Sequence, residues 1–582
     1  VSLCCALLPA LAEHPEYPEL KKSDANIIGH VLDKKTSEHL PYITIALKGT
    51  TIGTVTDATG HYFLKNLPEG NFMMEVSSVG YKTVTRSVTL KKGKTLEENF
   101  ELEEDAIALD GVVVSANRSE TTRRLAPTLV NVVDLKLFET TNSSTLSQGL
   151  NFQPGVRVET NCQNCGFQQV RINGLDGPYT QILIDSRPVF SALSGVYGLE
   201  QIPASMIERV EVMRGGGSAL FGSSAIAGTI NIITKEPLRN SGQLSHTITS
   251  IGGSSAFDNN TSLNASLVTD DHRAGLYIFG QNRHRSGYDY DGDGFTELPK
   301  LKNQTVGFRS YLKTSTYSKL TFEYHHMQEF RRGGDMLDRP PHEAHIAEQL
   351  QHSIDGGSLK YDYFSPNEKN RLSVFASAAN TDRDSYYGPG NDPLKAYGKT
   401  TDLTAMGGVQ YVHTFDKCLF MPSDLTAGLE YNRDRLKDNM WGYDRHTDQT
   451  VKVYSAFLQN EWKNKHWGIL IGGRLDKHNM VDDVIFSPRA NLRFNPTDNI
   501  NLRLSYSSGF RAPQAFDEDM HIENVGGTVA MIERAKDLKE EKSQSFSASA
   551  DMYHRFGAFQ TNLLVEGFYT RLTDVFVLGG PF

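Results

Sequence analysis

Val210–Pro237 reads VEVMRGGGSALFGSSAIAGTINIITKEP, with five glycines, five serines or threonines and a β-prone apolar tail. A glycine-rich run of this kind invites a phosphate-binding reading, and the residues refuse it. A P-loop requires G-x-x-x-x-G-K-[ST], whose lysine reaches the phosphates and whose hydroxyl holds magnesium. Gly217 and Gly222 have the glycine spacing, but Ser223-Ser224 stands where Lys-Ser/Thr should be. A dinucleotide fingerprint requires G-x-G-x-x-G opening a helix of a βαβ unit. Here Gly215-x-Gly217 is followed by Leu220, and the next run, GTINIITK, is β-rich.

Downstream of residue 238 the chain changes character. Leu425, Ala427, Leu429 and Tyr431 alternate with Thr426, Gly428, Glu430 and Asn432. The same period of two recurs over 490–495, 501–506 and 545–552, and roughly fifteen such strands follow one another. A soluble sandwich also alternates, so the connections decide. Short turns (DDHR, TYSK, SPNEK) interleave with long polar loops near 286–300, 331–349, 388–400, 438–450 and 514–541. Short turns on one side and long loops on the other is the pattern of a transmembrane antiparallel β-barrel. Composition agrees: mean hydropathy is −0.40, and no run after the first dozen residues approaches the ~20 apolar residues of a spanning helix. The 24 tyrosines and 29 phenylalanines suit interfacial belts. The net charge of −10 carries no basic excess, so no nucleic-acid partner is expected.

Upstream, 582 residues exceed one ordinary core, and further domains are expected. Residues 1–12 end an apolar run at Ala10-Leu11-Ala12, as a signal-peptide remnant would. From 26 to 103, six short strands (NIIGHVLD, YITIALKG, IGTVTD, HYFLKNL, FMMEVSSVGY, KTVTRSVTL) are punctuated by turn residues, predicting a small β-sandwich. Gly29–Asp33, Thr56–Tyr62, Leu67–Gly70 and Val79–Tyr81 resemble the motifs of the carboxypeptidase-regulatory-like domain, which implies a binding or structural module. Residues 104–118 form an acidic linker around Val112-Val113-Val114. That run reads either as a seventh sandwich strand or as a segment held ready to add to a partner's sheet edge. In 119–237, a helix capped by Ser143 or Ser144 and ending near Pro154-Gly155 precedes three strands and the opening stretch.

These parts together resemble the TonB-dependent outer-membrane receptors. Ile207 through Thr234 is similar to their plug-domain string I-E-R-V-E-V-x-R-G-x-x-S-x-L-[YF]-G-x-x-A-x-x-G-x-I-N-I-I-T, with Gly216 where the family often has proline. Asp110 to Ala116, with Val112, Val113, Val114 and Ser115, looks like the TonB box. Val170–Phe190 is similar to the V-R-G…D-G-x-P element, Gly509–Pro513 to F/Y-R-A-P, and Asp537–Ser545 to N-x-x-L-x-P-E-x-S. The resemblance implies a mainly β chain: sandwich (26–103), linker with TonB box (104–118), mixed α/β plug (119–237) and barrel (238–582). The family's barrels have about twenty-two strands, so fifteen implies a chain that ends before its barrel closes. It implies a non-enzymatic, energy-coupled importer in a Gram-negative outer membrane, with the sandwich periplasmic. The partners implied are the TonB–ExbB–ExbD complex and lipid.

The candidate site residues follow. Glu208, Arg209, Glu211 and Arg214 are charges suited to pairing with a polar lumen, and Gly215, Gly222, Gly228 and Asn231 complete the plug motif. Arg187, Phe190, Tyr197 and His521 are the candidate cargo contacts; in haem receptors of the family a histidine in the interval of His521 can bind the iron. Asp289, Asp291, Asp293 and Glu297 have calcium-loop spacing, although Lys300 at the twelfth position excludes an EF-hand. No other cofactor is required. Cys162 and Cys165 are expected to form a local disulfide in an oxidising compartment, since metal binding by two cysteines alone would lack ligands. His342-x-x-His345 is a further metal contact to test. The cargo expected is a metal chelate (cobalamin, haem or a ferric siderophore), with an oligosaccharide importer and its surface lipoprotein as the alternative.

Overall fold

The computed structural model describes residues 22–577 apart from 58, 79, 105–111, 119–120, 163, 189–199, 201, 389–391, 516–519, 526–527, 536 and 558. The signal-like segment, Asp110, Phe190 and Tyr197 therefore lie outside the described residues.

The alternating region forms one fifteen-stranded antiparallel sheet whose strands follow chain order from Ser241–Ser250 to Phe559–Thr573. The orientation of the alternation separates a barrel from a soluble sandwich. Leu429, Leu504 and Phe546 are exposed on the outer face, while Glu430, Arg493, Arg503 and Asp551 are buried on the inner one. A water-soluble sheet would bury the apolar set; this sheet turns it outward, as a lipid-facing wall must. No helix among the described residues is long and apolar enough to cross a membrane. Aromatic rings gather at the short-turn ends, with Trp467 stacked on Phe494 at 4.3 Å and Phe420 on Trp462 at 5.7 Å. A Leu504→Arg substitution on the outer face is expected to weaken membrane insertion by about 2–4 kcal/mol if it sits near mid-bilayer. Denaturant titration of receptor folding into lipid vesicles measures it.

One expected loop is largely strand. Met421–Met440 and Arg445–Lys463 continue their pairing to Met440↔Arg445, and a single turn over 441–444 joins them. Asp444, at φ 52°, closes that turn, a backbone state which Asp tolerates better than most residues.

The N-terminal sandwich has eight strands rather than six. Thr95–Glu97 and Phe100–Leu102 add in parallel to Lys22–Asp33, which also pairs with His61–Pro68. Gly53–Val55, Thr44–Leu47, Gly70–Ser77 and Val84–Leu90 form the second sheet, with Ile27, Val31, Ile45, Met74 and Phe100 in the core between them. The two added strands are three residues each, too short for a periodic pattern to reveal. The sandwich rests on the short-turn side of the barrel. The Thr51 amide donates to Thr316 O at 2.8 Å, and Arg239 covers the Tyr42 ring at 3.6 Å.

The plug is a four-stranded sheet in the order Val130–Asp134, Ile207–Arg214, Gly228–Thr234, Thr180–Ile184, with a separate hairpin Val156–Cys162/Phe167–Ile172. Its helix, Leu146–Leu150, starts one or two residues later than expected, with Thr145 at the N-cap position, and ends before Pro154. Ser144 instead donates its backbone N–H to Gln148 at 2.7 Å. A second short helix, Leu135–Thr140, is capped by the Asp134 carboxylate, which accepts from the Leu137 amide at 2.9 Å.

Candidate functional site: the clasped segment, the plug wall and the mouth

Val112–Val113 does not join the sandwich. It pairs antiparallel with Thr121–Thr122 inside the lumen. The following residues are held from two sides. On the plug side, Glu211 Oε2 accepts from the Val114 amide (2.9 Å), the Ser115 amide (2.9 Å) and Ser115 Oγ (2.7 Å). Asn231 Nδ2 donates to Ser115 Oγ at 2.9 Å. On the barrel side, Arg489 donates to Ala116 O (3.0 Å), Gln459 to Asn117 O (3.0 Å), and Asn117 Nδ2 to Glu461 (2.6 Å). Arg118 pairs with Glu430, which Arg474 also grips at 2.7 Å. Val113, Ser115 and Ala116 are fully buried. The segment expected to stand ready for a partner is thus docked, because its amides find acceptors in Glu211 that solvent would otherwise supply.

This arrangement gives the plug motif its physical meaning. Glu211 and Asn231 lie opposite each other in the plug sheet register and point at one serine. Arg209 Nε, 3.0 Å from Glu211 Oε1, supports the carboxylate's charge and also pairs with Glu208. Pairing with the barrel wall, expected of all four charges, is made by Arg214, whose partner is Glu566. The glycines allow the turn at 215–224 to press on the strand Ile500–Arg511. A Cβ on Gly216 (φ 54°) would lie 1.9 Å from Ser507 Oγ, and one on Gly228 would lie 2.3 Å from Met213 O. A proline, fixed near φ −65°, cannot adopt the Gly216 backbone.

Two further ionic sites hold plug to wall. Glu200, buried at 5% exposure, faces Arg331 (2.7 Å), Arg285 (3.1 Å) and Arg283 (3.4 Å). Burial pushes its carboxyl up, but the three guanidiniums, Arg285 foremost, outweigh that and hold it at about 2. Asp185 pairs with Arg309, and Thr234 donates to its carboxylate at 2.7 Å. Sequence reasoning missed Glu200, Glu430 and Arg474. The available signal was the run of charges on the inward face of alternating strands, as in Arg283-x-Arg285 and Glu329-x-Arg331.

The long-loop mouth carries the remaining candidates except Arg187. Asp289, Asp291 and Glu297 bring carboxylate oxygens within 4.8 Å of one another. Asp293 is not among them; its Oδ1 accepts from the Phe295 amide at 2.8 Å. Arg187 is away from the mouth. It stacks on Phe375 at 4.7 Å, near the short-turn end of Asn370–Gly388. His342 and His345 part company, His342 to Tyr397 OH (2.8 Å) and His345 to Asp335 (2.6 Å). Cys162 and Cys165 do not form the expected disulfide. Each sulfur has another partner: Cys162 Sγ donates to Glu348 Oε2 at 3.2 Å, and Cys165 Sγ lies 3.4 Å from His521 Nε2. His521 Nε2 is also 3.3 Å from Glu348, and its ring sits between Phe167 and Tyr387, each 5.5 Å away. Hydrogen bonding with Cys165 draws the Cys162 thiol down, and His521 adds to this against burial. Burial opposes charge on His521, but bonds to Cys162 and Glu348 outweigh it and raise the imidazole to about 10.

A lipid-facing β-barrel wall packed around a plug that clasps its own N-terminal segment defines a class: plugged transmembrane β-barrels. The chain matches the family described as TonB dependent receptor-like, beta-barrel over residues 232–581, the TonB-dependent Receptor Plug Domain over 122–229 and the CarboxypepD_reg-like domain over 27–114. The chain belongs to the TonB-dependent receptor family of outer-membrane proteins. It is 24% identical over 424 residues to the vitamin B12 transporter BtuB of Vibrio vulnificus, covering 70% of this chain and 64% of that protein. It is 23% identical over 480 residues to the ferric enterobactin receptor of Pseudomonas aeruginosa, covering 69% and 61%. The chain therefore spans less than two thirds of the length of either relative. In fold it is similar to the siderophore receptor PirA of Acinetobacter baumannii (TM-score 0.62, 18% identity, 77% of this chain and 78% of that one). It is equally similar to the ferric enterobactin receptor PfeA of Pseudomonas aeruginosa (TM-score 0.62, 18% identity, 77% and 71%).

Proposed function

We propose that this protein imports a metal chelate, of the cobalamin, haem or ferric-siderophore kind, across the outer membrane, driven by TonB rather than by any chemistry of its own. The observation that carries the reading is the clasp. Residues 113–118 are held by plug residues on one side and barrel residues on the other, so their release and the plug's displacement are mechanically one event. A partner that adds Val112–Val114 as a strand and pulls would break the Glu211 contacts first. The kinship to a vitamin B12 transporter and a ferric enterobactin receptor supports the cargo class. Deleting residues 110–116 is expected to abolish uptake while leaving the barrel folded; uptake that survives the deletion favours an adhesive or structural barrel.

Binding of the full-length receptor to cobalamin, haem and a ferric-siderophore panel, with and without calcium, tests the cargo. Saturable binding to one names it. Loss of that binding on chelation of calcium, reproduced by Asp289→Asn, would assign Asp289, Asp291 and Glu297 to a cation that orders the 286–299 loop.

A further inference from the structure

Two thiols, a carboxylate and an imidazole converge where the plug meets the barrel mouth. The four ligand atoms of Cys162, Cys165, Glu348 and His521 lie within 4.8 Å of one another. Cys162 and Cys165 are in the plug hairpin, Glu348 is the second residue of the barrel strand Ala347–Phe364, and His521 belongs to the connection after Ile500–Arg511. The two cysteines are neighbours in the hairpin, but only the fold brings them to the other two: Cys162 and Glu348 are 186 residues apart, and Cys165 and His521 are 356.

We infer that these four side chains form a tetrahedral site for a single divalent transition-metal ion of the zinc type. The donor set argues for the class. Two sulfurs, one nitrogen and one carboxylate oxygen suit a borderline-soft ion and not calcium or magnesium, which take all-oxygen shells. The spacing argues for the geometry. Metal bonds of roughly 2.0–2.3 Å in a tetrahedron place neighbouring ligand atoms ~3.3–3.8 Å apart. Three of the six edges are 3.2 Å (Cys162–Glu348), 3.4 Å (Cys165–His521) and 3.3 Å (His521–Glu348), and the other three lie within 4.8 Å. The surroundings argue for size. Cys165, Phe167, Leu350, Tyr387, Met440 and Ile522 pack as one apolar cluster around the group, and the side chains of Glu348 and His521 are only 3% and 10% exposed. A bare ion fits such a site; a chelate does not. The aromatic rings of Phe167 and Tyr387 flank the His521 imidazole and restrict its plane.

The ligands divide between moving and fixed parts. Two ride on the plug and two on the wall and loop, so displacing the plug splits the set and frees the ion. That consequence rests on the import reading; the site itself does not.

The test uses the full chain, isolated from outer membranes without reductant, stripped of metal and titrated with Co²⁺ alone. One equivalent should bind with thiolate-to-cobalt charge-transfer and tetrahedral d–d bands, displaced by Zn²⁺ and not by Ca²⁺. The Cys162→Ser/Cys165→Ser variant should lose the charge-transfer band. His521→Gln, in a loop and so least able to disturb folding, should weaken binding by at least the roughly 10–100-fold that altering a supporting residue costs. Folded protein that shows no such band overturns the proposal, including protein recovered with Cys162 and Cys165 oxidised to a disulfide. So does a band that persists in the double cysteine variant. Chelate-dependent growth of the His521→Gln strain reports separately on import, so failure of one reading is not failure of the other.

Discussion

Glu200→Gln is expected to loosen the plug by about 3 kcal/mol, the low end of what removing one partner from a buried ionic cluster costs. The carboxylate faces three guanidiniums. Two of them keep other acids, Arg283 with Asp258 at 2.6 Å and Arg331 with Glu329 at 2.7 Å. Arg285 retains the Pro299 carbonyl at 3.2 Å, which carries no full charge. Its buried charge is the one stranded by the change, and the loss follows from that. Plug anchorage can be read as single-channel leak in planar bilayers and as protease access to the hairpin Val156–Ile172. Both should rise. The pH dependence has a defined sign. Because the folded carboxyl is held at about 2, below the ordinary 4.5, its contribution is complete above about 4.5 and disappears as pH falls through about 2. Glu200→Gln should flatten the receptor's acid unfolding across that window. An unchanged leak and an unchanged acid limb would show that Glu200 does not anchor the plug.

Glu211→Ala is expected to release the segment Val112–Ser115 without cargo. One carboxylate oxygen accepts three hydrogen bonds from it, two of them from backbone amides, and the Ser115 pair is buried. Hydrogen bonds to a charged group contribute roughly 1.5–3 kcal/mol. Losing about 2 kcal/mol of docking shifts the docked–released balance by about thirtyfold. A cysteine placed at Val114 should then label at a rate independent of cargo, and a soluble TonB fragment should bind the variant correspondingly tighter. Asn231→Ala removes one neutral donor to Ser115 and should shift the same readouts less. Labelling that stays slow in Glu211→Ala would mean the barrel-side contacts from Arg489 and Gln459 hold the segment by themselves.

Much of the architecture was legible because it is written locally. A period of two over Leu425–Asn432 states that a strand has one apolar and one polar face, and the alternation of short turns with long loops states which solvent the apolar face meets. Turn chemistry marked six sandwich strands, and the glycine string marked the plug. The errors are local too. The 438–450 segment carries Asp, Asn, Gly and Arg and reads as loop, yet cross-strand pairing on both sides extends it as strand.

What the sequence determined by itself is therefore the set of parts: sandwich, clasp-like segment, plug and barrel, each set by patterns within a few residues. Tertiary structure decided the partners. That Ser115 meets Glu211, 96 residues away, depends on the register of the plug sheet. That a C-x-x-C meets Glu348 and His521 rather than closing on itself depends on where the hairpin lies against the wall. Charge, thiol and imidazole are visible in a sequence one at a time. Their chemistry belongs to pairs, and pairs separated by hundreds of residues exist only once strand register and plug placement have brought them within reach.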